Sequence, residues 1–317
     1  MSSNGGYYLP KPSFWPLLGS IGLFLLVGGF AMSLPTDISR SAIGQYTYGE
    51  GASVGSLTVM YIGFGVLAVM LIGWFGQVIK ESEAGLYDSQ VDRSFRQGMT
   101  WFIFSEVMFF AAFFGALYYI RVLMLPWLNG TSVNPDMALT GQWLYPEFKA
   151  AWPNSGPLGP DLFAASKELT EKSFHIMGAW GIPAINTLIL LTSGVTLTIA
   201  HHALKEGHRK KLITWLAATV ILGFIFLALQ IYEYGHAYSA MNLKMTTGSY
   251  GSTFYMLTGF HGFHVFVGAT ILAVLLFRSA KGHFSEKSHF AFEAGAWYWH
   301  FVDVVWLGLF IFVYWLI

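Results

Sequence analysis

AGAWYWHFVDVVWLGLFIFVYWLI, residues Ala294–Ile317, decides the fold class. A bilayer-spanning helix needs about 20 apolar residues, and this run is long enough and almost wholly apolar. Yet it opens directly behind Glu293 and holds His300 and Asp303 within it. A charged group at the bilayer centre costs roughly 2.5 to 3.5 kcal/mol on insertion scales, so a carboxylate and an imidazole kept there are paired or line a polar site. The chain reads as an all-α integral membrane protein.

Six further runs of spanning length lie upstream, so the expected spans are about 14–34, 54–79, 99–120, 176–200, 212–238, 253–277 and 294–317, in a single transmembrane domain over 1–317. The first follows only Lys11 and exceeds the 7 to 15 residues of a signal-peptide core, so it is read as a retained span. An odd number of spans puts the termini on opposite sides. Lys11, Lys80, Arg93, Arg96, Lys205, Arg209, Lys210, Lys211, Arg278, Lys281 and Lys287 then share one side. The other side has Arg40, Arg121, Lys149, Lys167, Lys172 and Lys244, four of them spread along a long loop where charge counts less. The N-terminus is therefore expected to face the cytoplasm or matrix, and the C-terminus the opposite compartment.

Composition agrees and excludes other classes. Of 317 residues, 55% are hydrophobic and 11% charged, and 17 basic residues balance 17 acidic ones. No basic face exists to neutralise phosphates, so nucleic acid is not an expected partner. With no cysteine, disulfides, thiolate metal sites and iron–sulfur clusters are excluded. The 35 glycines predict close helix packing, because in lipid van der Waals contact replaces the missing hydrophobic drive. The segment Arg121–His175 holds Pro126, Pro135, Pro146, Pro153, Pro157 and Pro160 and is expected to be an ordered loop with little regular structure. The polarity gap there suggests two unequal bundles, spans one and two against spans three to seven or some similar split, which the sequence alone does not fix.

Polar residues inside the spans are the candidate sites. Glu106 lies mid-span in WFIFSEVMFF (101–110) and is either a proton-accessible, carbodiimide-reactive carboxyl or an acid hydrogen-bonded to a neighbouring helix, with Ser105 beside it. His261 and His264, three apart, share a helical face. Glu293 and His300, seven apart, share another, with Asp303 one turn on, and Glu233 lies in the fifth span. Two histidines on one helix and one on the next could ligate metal or haem. In bundles, however, neutral imidazoles more often bond across helices, so Glu233, His261, His264, Glu293, His300 and Asp303 are read as a buried polar network. No metal and no catalytic residue is assigned. His201-His202 is read as interfacial. So are most of Trp297, Tyr298, Trp299, Trp306 and Tyr314, as an aromatic belt. Lys80, Glu81, Arg96, Arg278, Lys281 and His283 gather at the inner ends of spans two, three and six, where basic groups can hold lipid head groups.

These residues match a family. GSYGSTFYMLTGFHGFHV (248–265) and FEAGAWYWHFVDVVW (292–306) resemble subunit 3 of the haem–copper cytochrome c oxidases, and the likeness continues through SEVMFF (105–110), NTLILLTSGV (186–195) and AHHAL (200–204). It covers nearly all the chain apart from the tail before Phe14 and the loop 125–175. The resemblance implies seven transmembrane helices arranged as two plus five around a V-shaped, lipid-holding cleft. It implies no cofactor in this chain, with haem and copper in subunits I and II, which oxidise cytochrome c, reduce oxygen to water and pump protons. Glu106 matches the family's carbodiimide-reactive carboxyl, and Lys80, Glu81, Arg278, Lys281 and His283 match lipid-contacting positions. Subunit I is the implied main contact, with subunit II, a small subunit IV and membrane phospholipids as further partners. One departure is Leu86-Tyr87-Asp88, where related chains often carry a histidine pair, so that loop's lipid contact is not carried over. The long loop and extended N-terminus resemble bacterial members, which implies a bacterial inner membrane.

The expectation is therefore a non-catalytic accessory subunit of a proton-pumping terminal oxidase that stabilises subunit I, binds structural phospholipids and supports proton uptake. Two other readings stay open. A proton-coupled secondary transporter would use Glu106, Glu233 and Asp303, although the paired halves common in transporters are not visible. A membrane haem or metal enzyme would use His261, His264 and His300. A retinal receptor is disfavoured, because the last span has no lysine.

Overall fold

The computed structural model describes residues 8, 12–34, 38–40, 46–48, 54–132, 134–156 and 174–317. Lys11, Pro157, Pro160, Lys167 and Lys172 lie outside them. Among the described residues, seven helices are long and apolar enough to cross a membrane, each overlapping one of the runs read from sequence, although the fourth begins at Ile182 and not at 176. In chain order the elements are α1 (Trp15–Ser33), a short antiparallel pair β1 (Ile38–Arg40) and β2 (Tyr46–Tyr48), α2 (Val54–Glu83), α3 (Ser89–Tyr118), α4 (Leu125–Leu128), α5 (Pro135–Leu144), α6 (Ile182–Lys205), α7 (Arg209–Ala240), α8 (Ser249–Lys281) and α9 (Phe290–Leu309).

Two boundaries differ from expectation for local reasons. The third span begins ten residues early, at Ser89, and runs on through a π-helical stretch, Tyr119–Met124, into α4. Pro126 offers no amide and its ring crowds the carbonyl four residues back, so the helix widens ahead of it instead of stopping. The loop beyond is less irregular than its prolines suggested. Asn134 caps α5 by accepting from the Asp136 amide at 3.1 Å, and Pro135 occupies the first turn, where its missing N–H costs nothing.

Contacts divide the chain into two units, Met1–Phe95 and Arg96–Ile317. The first carries spans one and two with the opening turns of the third helix, and the second the rest of that helix with spans four to seven. In the first, α1 and α2 pack along glycines: a Cβ on Gly29 would run into the Met60 backbone, and one on Gly22 would come within 3.1 Å of the Leu67 amide. Only backbones without side chains approach that closely, as bilayer helices do when packing is the main attraction. A polar string ties the ends of this pair. The Trp15 indole donates to Gln77 at 2.8 Å, Gln77 donates to Glu81 at 2.8 Å, and the Tyr87 hydroxyl donates to Glu81 at 3.0 Å.

The second unit is organised around α9, and here the aromatic-belt expectation is corrected. Trp299, Trp306, Tyr298 and Tyr314 are buried core residues, while Trp297 stays at the surface. Each buried indole has a polar partner on α6: Trp299 donates to Ser193 and Trp306 to Thr187, both at 2.9 Å. With its N–H satisfied, a large ring packs inside a bundle at no polar cost. Gly223 of α7 and Gly268 of α8 flank the Trp299 ring, and a Cβ on either would lie 2.7 or 2.9 Å from it. Large apolar side chains such as Phe24, Ile72 and Ile231 face outward, as a lipid-facing exterior requires.

Candidate functional site

The second unit's interior acids and imidazoles are held in separate pairings. Glu106 of α3 meets His264 of α8, Oε2 to Nε2, at 2.9 Å. The other ring nitrogen donates to the Phe260 carbonyl at 2.7 Å. Because that carbonyl only accepts, Nδ1 must keep its hydrogen, and one further proton lies between Nε2 and the carboxyl. Ser105 is turned to the Phe102 carbonyl at 2.7 Å and only brushes Glu106 at 3.5 Å. Phe109, Phe110 and Tyr298 stand around the imidazole. Glu106 is thus hydrogen-bonded to a neighbouring helix.

Glu233 of α7 is fully buried and accepts from the Tyr314 hydroxyl at 2.8 Å. His261 donates from Nε2 to the Val302 carbonyl at 3.2 Å. Asp303 lies 3.7 Å from His300 Nδ1, beside Gly194 of α6, where a Cβ would come 2.6 Å from the carboxylate. Glu293 pairs with the Arg96 guanidinium. The six residues read as one network are thus local pairs, since they sit at different levels on three helices. His261, His264 and His300 each have their own partner and do not converge as ligands. Among the described residues, the group of three that could surround one ion is instead His201, His289 and Glu293.

The head-group candidates divide by exposure. Lys80 and Lys281 are exposed at the ends of α2 and α8, and the Lys281 ammonium lies 4.4 Å over the Phe277 ring. Arg278 is buried, its guanidinium 4.6 Å over Phe284. His283 follows the α8 cap, its amide bonded to the Arg278 carbonyl at 3.1 Å. Arg96 is taken up by Glu293 and lies 5.1 Å over Phe290. Glu81 accepts the two bonds from Gln77 and Tyr87. In the short connection after α2, burial and then the Glu81 carboxylate push the Tyr87 phenol above its ordinary range. Sequence reading missed Tyr314, Gln77, Tyr87 and His289 as partners. Gln77, four residues before Glu81, and His289, four residues before Glu293, carried a local signal, the spacing that puts two side chains on one helical face.

Comparison with known proteins completes the site. The family profile described as cytochrome c oxidase subunit III matches residues 5–146 and 167–317, passing over a piece of the long loop. Proteins called cytochrome c oxidase subunit 3 are similar throughout. That of Carassius auratus is 38% identical over 312 residues, 98% of this chain and 96% of its own length. That of Squalus acanthias is 37% identical over 312 residues with the same coverage, and that of Danio rerio 37% over 310 residues. All three are vertebrate proteins, so the bacterial placement rests on the sequence reading alone.

Proposed function

Since this chain belongs to the cytochrome c oxidase subunit III family, and so to a multi-subunit, membrane-embedded respiratory oxidoreductase, we propose that it is the accessory subunit that prolongs the working life of the catalytic subunit it packs against. The carrying observation is the alignment across 98% of the chain, joined to an interior in which Glu106, Glu233, His261, His264 and Glu293 are each engaged by a neighbouring residue. Glu106, Glu233 and Asp303, the transporter's candidate carriers, sit in three unconnected pairings. The haem reading fares no better, because the His261 Nε2 is turned to the Val302 carbonyl and the two ring nitrogens of His264 to Phe260 and Glu106.

Two finer roles extend the proposal. Phospholipid head groups are held at the basic helix ends, by Lys80 in the first unit and by Lys281, Arg278 and His283 in the second. Lys80 and Lys281 supply reachable ammonium groups, and such groups attract anionic lipid by about 1 kcal/mol each. Proton uptake is supported by the intramembrane Glu106 carboxyl and the His264 imidazole bonded to it, two groups that can each accept a proton. The setting is a bacterial cytoplasmic membrane with the N-terminus inside, as the basic-residue asymmetry favours.

Removal of this chain from the purified oxidase tests the central role. Initial turnover should persist while the enzyme inactivates at least several-fold faster during continuous reaction. An unchanged inactivation rate would show that the chain does not protect its partner.

A further inference from the structure

We propose that His201, His289 and Glu293 form a binding site for one divalent transition-metal ion of the zinc type, where the end of α6 meets the start of α9. The His289 Nδ1 donates to the Ser285 carbonyl at 3.0 Å. A neutral imidazole fixed that way carries its lone pair on Nε2, and this nitrogen faces Glu293 Oε1 at 3.3 Å. The His201 Nε2 lies 3.9 Å from the same oxygen. Both Nε2 atoms are enclosed, and neither makes a hydrogen bond. The His289 side chain is only 10% exposed. Two lone pairs and a carboxylate oxygen thus point at one place, an arrangement that repels itself until a cation enters.

The dimensions and chemistry suit zinc. The three donor atoms lie within 4.8 Å of one another. Tetrahedral zinc with bonds of about 2.0–2.1 Å keeps its ligands about 3.3 Å apart, so small side-chain rotations close the shell. Two imidazoles and a carboxylate leave a fourth position for water or a partner's group. The bond from Nδ1 to a backbone carbonyl is the outer support that histidine ligands usually have, and Arg96, paired with the other carboxylate oxygen, orients Oε1 inward. Arg96 and Lys205, one turn beyond His201, add positive charge nearby. That charge weakens binding, so the ion comes and goes with its concentration.

The full-length chain, purified in mild detergent with whatever partners accompany it and freed of loosely held metal by a chelator, is dialysed against graded zinc chloride, and bound zinc is counted by mass spectrometry. Wild type should bind one zinc more than His289→Ala or His201→Ala, or the variants should bind it at least tenfold more weakly. His208→Ala, which changes an exposed histidine, should match wild type. X-ray absorption at the zinc edge of the wild-type protein should show two imidazole nitrogens and oxygen at about 2.0–2.1 Å, a result that needs no variant to fold. Equal binding by wild type and both alanine variants, no binding by wild type, or a zinc shell without imidazole would each overturn the site, and the cluster would then be a histidine held protonated between Glu293 and the Ser285 carbonyl.

Discussion

Glu106 could be singled out from its neighbours because a carboxyl amid ten mostly apolar residues has nowhere local to turn. Its partner could not, since His264 lies 158 residues away and only helix packing brings the two together. The pairing makes a graded prediction. Glu106→Gln keeps a donor for the His264 Nε2 and should cost little, whereas Glu106→Ala leaves that nitrogen buried and unsatisfied, at about 1–3 kcal/mol. Thermal inactivation of the two variants beside wild type reads the difference, and equal midpoints would refute the bond. Trp299 carries the opposite lesson. Its sequence neighbourhood suggested an interface, but Ser193, Gly223 and Gly268, on three other helices, make room for it and satisfy it. Gly223→Ala should destabilise the fold by about 1–3 kcal/mol through overpacking. A thermal midpoint no lower than wild type would mean that the ring has slack.

Helix centres were legible and helix ends were not. Hydropathy stops where the bilayer stops, but a helix continues as long as its backbone bonds do. Polar SQVDRSFRQ, residues 89–97, extends α3 beyond the apolar run. The end of α8 shows what a real terminus needs. Gly282 adopts φ +81° and its amide bonds back to the Arg278 and Ser279 carbonyls, while Arg209 donates to the Ser279 and Ala280 carbonyls at 3.2 and 2.7 Å. A cation there also suits the negative end of the helix. Gly282→Ala should cost about 1 kcal/mol from the left-handed backbone, and more where its Cβ meets the Arg209 guanidinium; a neutral effect in a melting experiment would contradict the cap. At the end of α2, Tyr87 links pH to stability. Folding raises the pKa of its phenol, so its contribution is complete below the free-tyrosine value of about 10 and declines as pH rises through the higher folded value. Tyr87→Phe should therefore flatten the alkaline limb of the stability profile, and an unchanged limb would assign that dependence to other groups.

For the whole molecule, the number of spans and their order were readable, because each follows from long apolar runs separated by polar stretches. Which polar residues pair was not readable, because five helices of the second unit supply the partners. The same packing explains why histidines that looked like ligands on one helix are dispersed, while His201 and His289, far apart in sequence, converge on Glu293. The account as a whole holds that this polypeptide works inside an oxidase and leaves the redox chemistry to its neighbours. Capturing the tagged chain from its own membrane in mild detergent, then recording the optical spectrum of what elutes, tests this most directly. The account predicts haem absorbance and cytochrome c oxidation that travel with the chain and stay with the remaining subunits once it is stripped off. A chain that elutes without haem-bearing partners, or that retains haem stoichiometrically on its own, would contradict it.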